Sequence, residues 1–267
     1  MTRVSFVAEQ TWADYPATLA AGWSTPVVAA AALGTAALAT LTYGMVVPQS
    51  RLLLPVLSRA LDATAPRVGL TFDDGPWPGS TEVILDVLKE HKVSAAFFVI
   101  GSNVEKWPML VQRMHDDGHF VGNHSFDHHR LGSLRGLSYW RDQIRRTDEM
   151  VRSIVGHRPA LFRPPMGIKT PPLAAALRES GHKTIAWSCR GFDGVTTAPA
   201  QIVRNIGTKI RAGEIALLHD GRDPRSRRDV RVTAAALPEI IRLTRARRLE
   251  FAPLTSLLPI TPYRQPD

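Results

Sequence analysis

Cysteine is almost missing from this chain. Cys189 is the single one in 267 residues, so no intrachain disulfide can form and a disulfide scaffold is excluded. Acidic residues are outnumbered: 24 Asp and Glu stand against 33 Lys and Arg, a formal net charge of +9. A basic chain is drawn to anionic surfaces such as nucleic acid, acidic lipid or acidic glycan, although an arginine-rich proteome gives the same balance with no polyanion partner. Five arginines crowd into Arg222 to Arg231, with Asp223 and Asp229 among them and no aromatic interleaved. Without stacking platforms, nucleic acid is not the expected partner. The basic loop reads either as a contact for an anionic headgroup or sugar-linked diphosphate, or as a solvated loop with local ion pairs. The overall mix is ordinary for a globular protein, 44% apolar and 21% charged, which removes disorder as the default.

Charge of either sign is absent from Tyr15 to Ser50. Within that stretch Pro26 to Val47 is mostly Ala, Val and Leu, interrupted by Thr35, Thr40 and Thr42. About 20 such residues cross a bilayer as a helix. A secretory signal would have a basic start and a shorter apolar core nearer the terminus. The expectation is a single transmembrane anchor, with a buried Ala-rich helix as the alternative. Arg51, Arg59 and Arg67 follow the run and only Arg3 precedes it, which leans the larger C-terminal part to the cytoplasmic face. Residues 51–66, broken by Pro55 and closed by Pro66, read as a linker.

From Arg67 onward short apolar runs alternate with helical patterns. Strands are expected at Val68–Phe72, Ala95–Ile100, His119–Asn123, Leu161–Arg163, His182–Ser188, Glu214–His219 and Leu249–Leu254. Helices are expected between them, at Thr81–His91, Val104–Asp117, Leu137–Val155, Pro172–Ser180, Pro199–Arg211 and Val232–Arg248. About seven such units predict an α/β fold with a parallel sheet, closed or nearly closed into a barrel. In such barrels chemistry sits at the C-terminal ends of the strands. Asp73, Asp74, His124, Arg163, Asp193 and His219 all fall at or just after such ends.

Asp73 and Asp74 stand side by side between the apolar run Val68–Phe72 and the turn signal Gly75-Pro76. Two ionised acids held close together repel, so a cation is expected beside them. His124-Ser125-Phe126-Asp127-His128 offers two imidazoles four apart, which on a helical turn would share one face. With one carboxylate they make a two-His, one-Asp set that leaves positions open for water and substrate. His129 would point about 100° away on such a turn and stays outside the set.

The runs TFDDGP, HSFDHH, FRPPMG and ALLHDG, in this order, resemble the polysaccharide deacetylases, the NodB-like family of carbohydrate esterases (family 4). The resemblance covers Arg67 to Leu257. It implies a distorted (β/α)7-type barrel, here preceded by the transmembrane helix, with residues 1–50 as an N-terminal segment and 67–267 as the catalytic domain. It implies a divalent metal, zinc first, with cobalt, nickel or manganese as alternatives. It also implies hydrolysis of an N-acetyl or related acyl group from an amino-sugar glycan or a lipid-linked sugar. Residue by residue, Asp73 matches the catalytic base, and Asp74, His124 and His128 match the metal ligands. Arg163 matches the arginine paired with the base. The backbone N–H of Met166, next to Pro164, matches the oxyanion donor. His219 matches the general acid, lined by Leu217, with Asp193 orienting or charge-tuning it.

The match is incomplete around Trp187 to Gly194. Arg190 stands where the family often has an acid and Gly194 where it often has tryptophan, and Met166 replaces a frequent tyrosine. These departures alter the pocket walls. Two other readings therefore stay open: an amide hydrolase of the same fold acting on a formyl or ureide group, and a glycan-binding protein without catalysis. The second would be expected to lose the base, the acid or a ligand, and none is missing. Cys189 reads as a core residue.

Overall fold

The computed structural model describes residues 25–264 apart from 197, 224, 227 and 228. Arg3, Arg227 and Arg228 lie outside the described residues. The chain divides between Thr42 and Tyr43 into two compact units.

Helix α1 (Thr25–Val46) contains one stretch, Val28–Val46, long and apolar enough to cross a membrane. Its side chains are almost all exposed, including Leu33 and Leu38. Thr35 and Thr40 each donate a hydroxyl hydrogen bond to the carbonyl four residues back, which hides their polarity inside the helix.

In the second unit β2 (Arg67–Asp73) is buried at every position after Arg67, the pattern of a strand covered on both faces. It pairs with β3 (Ala96–Val99) on one side and β8 (Ile215–His219) on the other. The other strands are β1 (Val56–Leu57), β4 (Phe120–Asn123), β5 (Leu161–Phe162), β6 (Lys183–Ile185), β7 (Cys189–Arg190) and β9 (Glu250–Phe251). The order is β1-β6-β5-β4-β3-β2-β8-β7, with β9 paired to β2. Every ladder between these strands is parallel. The path is open between β1 and β7, so the sheet forms a distorted half-barrel rather than a closed ring. Residues 51–66 are not only a connection: they supply β1 at one end of the sheet, and Arg59 bridges antiparallel to Glu214.

Helices cover the sheet: α2 (Thr81–Glu90), α3 (Gly101–Lys106), α4 (Pro108–Asp116), α5 (Leu137–Val155), α6 (Pro171–Ser180), α7 (Pro199–Lys209) and α8 (Arg231–Ala246). The single helix expected over Val104–Asp117 is split in two. Trp107, forced out of helical geometry by the following Pro108, sits at φ −133° and ψ 57°. α5 is one amphipathic helix that buries Trp140, Ile144, Val151 and Val155, and Gly156 at φ 81° ends it. Under α2, α4 and α8 the core holds Phe72 stacked on Phe97, ring centroids 5.0 Å apart, with Ile84, Leu88 and Leu237 around them. Cys189 is buried in the same core, and burial pushes its thiol up to about 11, which leaves it inert as a nucleophile.

His119, just ahead of β4, carries a pH dependence. It is buried, its Nδ1 accepts from the Ala95 N–H at 3.3 Å, and its ring lies 5.4 Å from that of Phe97. Burial pushes its imidazole down to about 4 from 6.5. The unfolded chain takes up the proton near 6.5 and the folded chain resists until about 4, so stability falls across that window as pH drops. The contribution is roughly 3 kcal/mol. Denaturation midpoints measured from pH 8 to pH 4 should fall more steeply for the wild type than for His119→Gln. Parallel curves would place the acid sensitivity elsewhere.

Candidate active site

The parallel register gathers the polar residues on one rim. Asp73 is the last residue of β2 and lies across from Phe98 of β3 and His219 of β8. Asn123 ends β4 across from Phe162 of β5, which sets His124 beside Arg163.

Asp74 follows with φ 71°, a left-handed conformation at a non-glycine residue. Ser125, His128, Met166 and Phe192 share it, at φ 68°, 46°, 55° and 58°. Each such residue costs on the order of 1–3 kcal/mol, and such strain persists where surrounding contacts impose it. Around Asp74 those contacts are tight. Asn103 Nδ2 donates to its carbonyl at 2.9 Å. A Cβ on Gly75 would collide with the Asp220 carboxyl, and one on Gly221 with the Asp74 carbonyl. Asp220 is wholly buried, accepts from Thr81 Oγ1 at 2.7 Å, and is pushed up to about 7 by burial.

His124 Nε2 and His128 Nε2 each lie 3.5 Å from Asp74 Oδ1, and the three groups are buried with their donor atoms within 4.8 Å of one another. His124 Nδ1–H donates to the Arg163 carbonyl at 2.7 Å, which turns its Nε2 lone pair toward Asp74. Burial pushes the Asp74 carboxyl up, but the His128 and His124 imidazoles outweigh it and hold the carboxyl far below the ordinary range. Burial pushes His128 down, and Asp74 with Asp223 raises it above the ordinary imidazole value. A buried O,N,N donor set of this kind fits a divalent cation.

The two histidines are not on a helical turn. Residues 124–129 form a loop pinned by side chains. Ser125 N–H donates to Asn123 Oδ1 at 2.8 Å, Phe126 and Asp127 N–H donate to Gln143 Oε1 at 2.9 Å, and His128 N–H donates to Ser125 Oγ at 3.2 Å. His129 turns its Nδ1 to the Leu131 N–H, as befits a residue outside the set.

Asp73 is buried against Arg163. The guanidinium donates to Asp73 Oδ1 at 2.7 Å, to Thr71 Oγ1 at 2.8 Å, and to the Ile185 and Ala186 carbonyls at 3.3 and 3.2 Å. It is 0% exposed and stacks 4.1 Å from the Phe98 ring. The free oxygen side of Asp73, Oδ2, lies 3.8 Å from His124 Nε2.

Across the cleft His219 Nδ1–H donates to Asp193 Oδ1 at 2.9 Å, which leaves Nε2 as the other ring nitrogen. Asp193 Oδ2 accepts from the His219 N–H and from Thr233 Oγ1, both at 2.7 Å. A cleft of about 340 Å³ joins these groups: Asp73, Asp74, His124, His128, Asp193 and His219 all line it. Met166, Trp187, Arg190 and Leu217 form its walls. Met166 is 47% exposed there, and Arg190 stacks 4.0 Å over the Phe192 ring. Pro164 is buried behind Met166, where its carbonyl accepts from Gly167 N–H at 2.9 Å, and it is not among the residues that line the cleft.

Several supporting residues were not singled out from sequence. Asn103, Gln143, Thr233 and Asp220 are separated along the chain from the groups they hold, and nothing in their local pattern marks them. Asp223 belongs to the arginine-rich loop. Its Oδ2 lies 4.0 Å from His128 Nδ1, and Arg225 donates to the His128 carbonyl at 2.7 Å. Burial pushes the Asp223 carboxyl up, and contacts with His128 and Arg225 hold it well below the usual range. Among the described arginines of that loop, then, Arg225 is spent on the site and Arg231 is paired with Asp229.

The half-barrel and its rim of Asp, His, His and a second acid define a class, the metal-dependent hydrolases of amide C–N bonds. Residues 60–185 match the family model described as polysaccharide deacetylase. A chitooligosaccharide deacetylase of Bradyrhizobium is 36% identical over 197 residues, 71% of this chain and 90% of the relative. A peptidoglycan-N-acetylglucosamine deacetylase of Bacillus cereus is 36% identical over 152 residues, 57% of this chain, and the chain spans 55% of that relative's length. A crystal structure of a peptidoglycan N-acetylglucosamine deacetylase superposes with a TM-score of 0.71 at 30% identity, covering 78% of this chain and 95% of the other. The chain belongs to the polysaccharide deacetylase family, the NodB-like carbohydrate esterases of family 4, and is an enzyme of that type.

Proposed function

We propose that this enzyme removes an N-acetyl or related acyl group from an amino-sugar glycan or a lipid-linked sugar. The observation that carries the reading is the cleft itself. A base-competent carboxylate held by a buried arginine, an Asp–His–His donor set and a carboxylate-backed histidine all open onto one space. A divalent ion, zinc first, held by Asp74, His124 and His128 would acidify a water and polarise the acyl carbonyl.

The chain's own residues supply the rest. Asp73, fixed at one oxygen by Arg163, takes the proton of the attacking water on the other. The backbone N–H of Met166 donates to the acyl oxygen as it gains charge, a contact worth about 3 kcal/mol when geometry is right. His219, as the imidazolium with its Nδ1–H held by Asp193, gives its Nε2 proton to the departing amine and is left neutral. Leu217 and Trp187 exclude water beside the acyl group. Pro164 shapes the turn that carries Met166. Helix α1 is read as a single-pass anchor over about residues 26–47, with residues 67–267 as the catalytic domain and a lean to the cytoplasmic face. Nucleic acid is not an expected partner.

The test is acyl release followed by mass spectrometry on a panel of N-acetylated and N-formylated sugars, polymeric and lipid-linked, after chelation and after zinc is restored. Chelation should remove turnover and zinc should return it. Full-rate release by metal-free protein would overturn the reading, and release of formyl or carbamoyl groups alone would move it to the other amide substrates.

A further inference from the structure

Lys169 is 1% exposed, yet its ammonium meets no carboxylate among the described residues. Its Nζ instead donates to the Val47 carbonyl at 2.7 Å and the Pro48 carbonyl at 3.0 Å. Its backbone N–H donates to the Met45 carbonyl at 2.9 Å. These carbonyls are the end of α1 and the two residues that leave it. Carbonyls at a helix C-terminus lack intrahelical partners and carry the negative end of the helix dipole, so a buried cation there is well placed. Burial pushes the Lys169 ammonium down to about 8, which leaves it charged at neutral pH.

The same short segment reaches the walls of the cleft. The Pro48 ring packs on Gly167, which sits at φ +73°. A Cβ on Gly167 would come within 2.7 Å of Pro48 Cγ and 2.8 Å of Trp187 Cη2. Gln49 Nε2 donates to the Trp187 carbonyl at 2.7 Å. Ser50 N–H closes the turn onto the Val47 carbonyl at 2.9 Å. Met166, beside Gly167, and Trp187 both line the cleft. The turn that carries Met166 is closed by two backbone hydrogen bonds, Gly167 to Pro164 and Ile168 to Pro165, at 2.9 and 3.1 Å. Met166 at φ 55° is strained as well. A short, strained turn keeps its shape only when something packs behind it.

We propose that the segment Met45–Gln49 is the back wall of the catalytic cleft, and that Lys169 is a positioning residue for the reaction. By clamping that segment, Lys169 holds the Met166–Gly167 turn and Trp187 in the geometry that acts on the acyl group. The inference rests on the reading of the Met166 N–H as oxyanion donor. Its consequence is that the exit from α1 is a working part of the enzyme and not a tether.

The experiment uses the full chain in detergent, with Lys169→Met, Lys169→Arg and Pro48→Ala beside wild type. Four quantities are read: kcat and KM on an N-acetylglucosamine oligomer, bound zinc, thermal midpoint, and hydrogen exchange of the amides at 167–169. Lys169→Met should lower kcat roughly tenfold to a hundredfold, the range expected when a donor is displaced by about 1 Å, with KM and zinc content nearly unchanged. The amides at 167–169 should exchange faster. Lys169→Arg, which keeps a cation for the two carbonyls, should recover part of kcat. Pro48→Ala should move kcat and exchange the same way, less far, and it carries the test if Lys169→Met does not fold. Variants that lose thermal stability but keep wild-type kcat and exchange would reduce the contact to a structural one and overturn the proposal. If wild type itself releases no acyl group, the deacetylase reading fails separately, and exchange at 167–169 decides whether the clamp exists.

Discussion

Asp73→Asn protein will retain its divalent ion and release acyl groups about 10²–10⁴ times more slowly than wild type, the range associated with a positioned general base. The substitution is nearly isosteric. The Asn carbonyl oxygen can still accept from the Arg163 guanidinium, which now bonds Asp73 Oδ1 at 2.7 Å, so the buried arginine keeps a partner. The donor set of Asp74, His124 and His128 does not include Asp73. What disappears is the ability to accept a proton. Asp74→Asn differs in kind: it weakens the carboxylate that both histidines face at 3.5 Å, and should lower ion content and turnover together. Metal analysis after dialysis, with single-turnover acetate release on the same samples, separates the two. Asp73→Asn protein with full ion and near wild-type release would remove Asp73 from the base role. Both variants losing the ion would mean that the second acid, too, is a ligand.

The order of elements was legible in the sequence because it rests on local pattern. Val68–Phe72 is apolar without alternation, as a strand covered on both faces must be, and Leu137–Val155 shows helical spacing and stops at a glycine. The rim residues were legible for the same reason: parallel strands put their C-terminal ends on one side, so Asp73, His124, Arg163 and His219 had to meet. Closure was not legible. Val56–Leu57 and Cys189–Arg190 are two-residue strands with no period to read, and they are the ends of the open sheet. Pro55 and the composition around it hid the first of them. The local form of His124 to His128 was not legible, because a spacing of four fits a helical turn and a pinned loop equally well. Positive φ at Ser125 and His128, imposed by Asn123 and Gln143, does the same job in a loop. The supporting shell of Asn103, Gln143, Asp220 and Thr233 depends on contacts between distant parts of the chain, which no local pattern encodes. The role of Val47 and Pro48 was hidden for a further reason: they continue an apolar run, and only the carbonyls, common to every residue, make the contact with Lys169.

Arg163→Met protein will lose on the order of 3–5 kcal/mol of folding stability, the usual cost of removing one partner from a buried ion pair. Methionine fills much of the arginine's volume and suits the contact with Phe98 and Trp187, so the loss is electrostatic more than steric. It arises because Asp73, 3% exposed, would be left buried without its cationic partner in a metal-free protein. The Ile185 and Ala186 carbonyls would also lose a donor, which adds a smaller term that does not depend on Asp73. The double variant Asp73→Asn/Arg163→Met tests this division. If the uncompensated charge dominates, the double variant should be more stable than Arg163→Met alone, because the buried carboxylate has been neutralised. If the orphaned carbonyls or the altered packing dominate, the second substitution should recover nothing. Urea denaturation of the four proteins in chelator, read as a double-mutant cycle, gives the coupling directly. A coupling near zero would mean that the arginine serves the sheet rather than the base. The close contact between Arg163 and Asp73 would then be a consequence of the register and not the means by which the acid is kept ready.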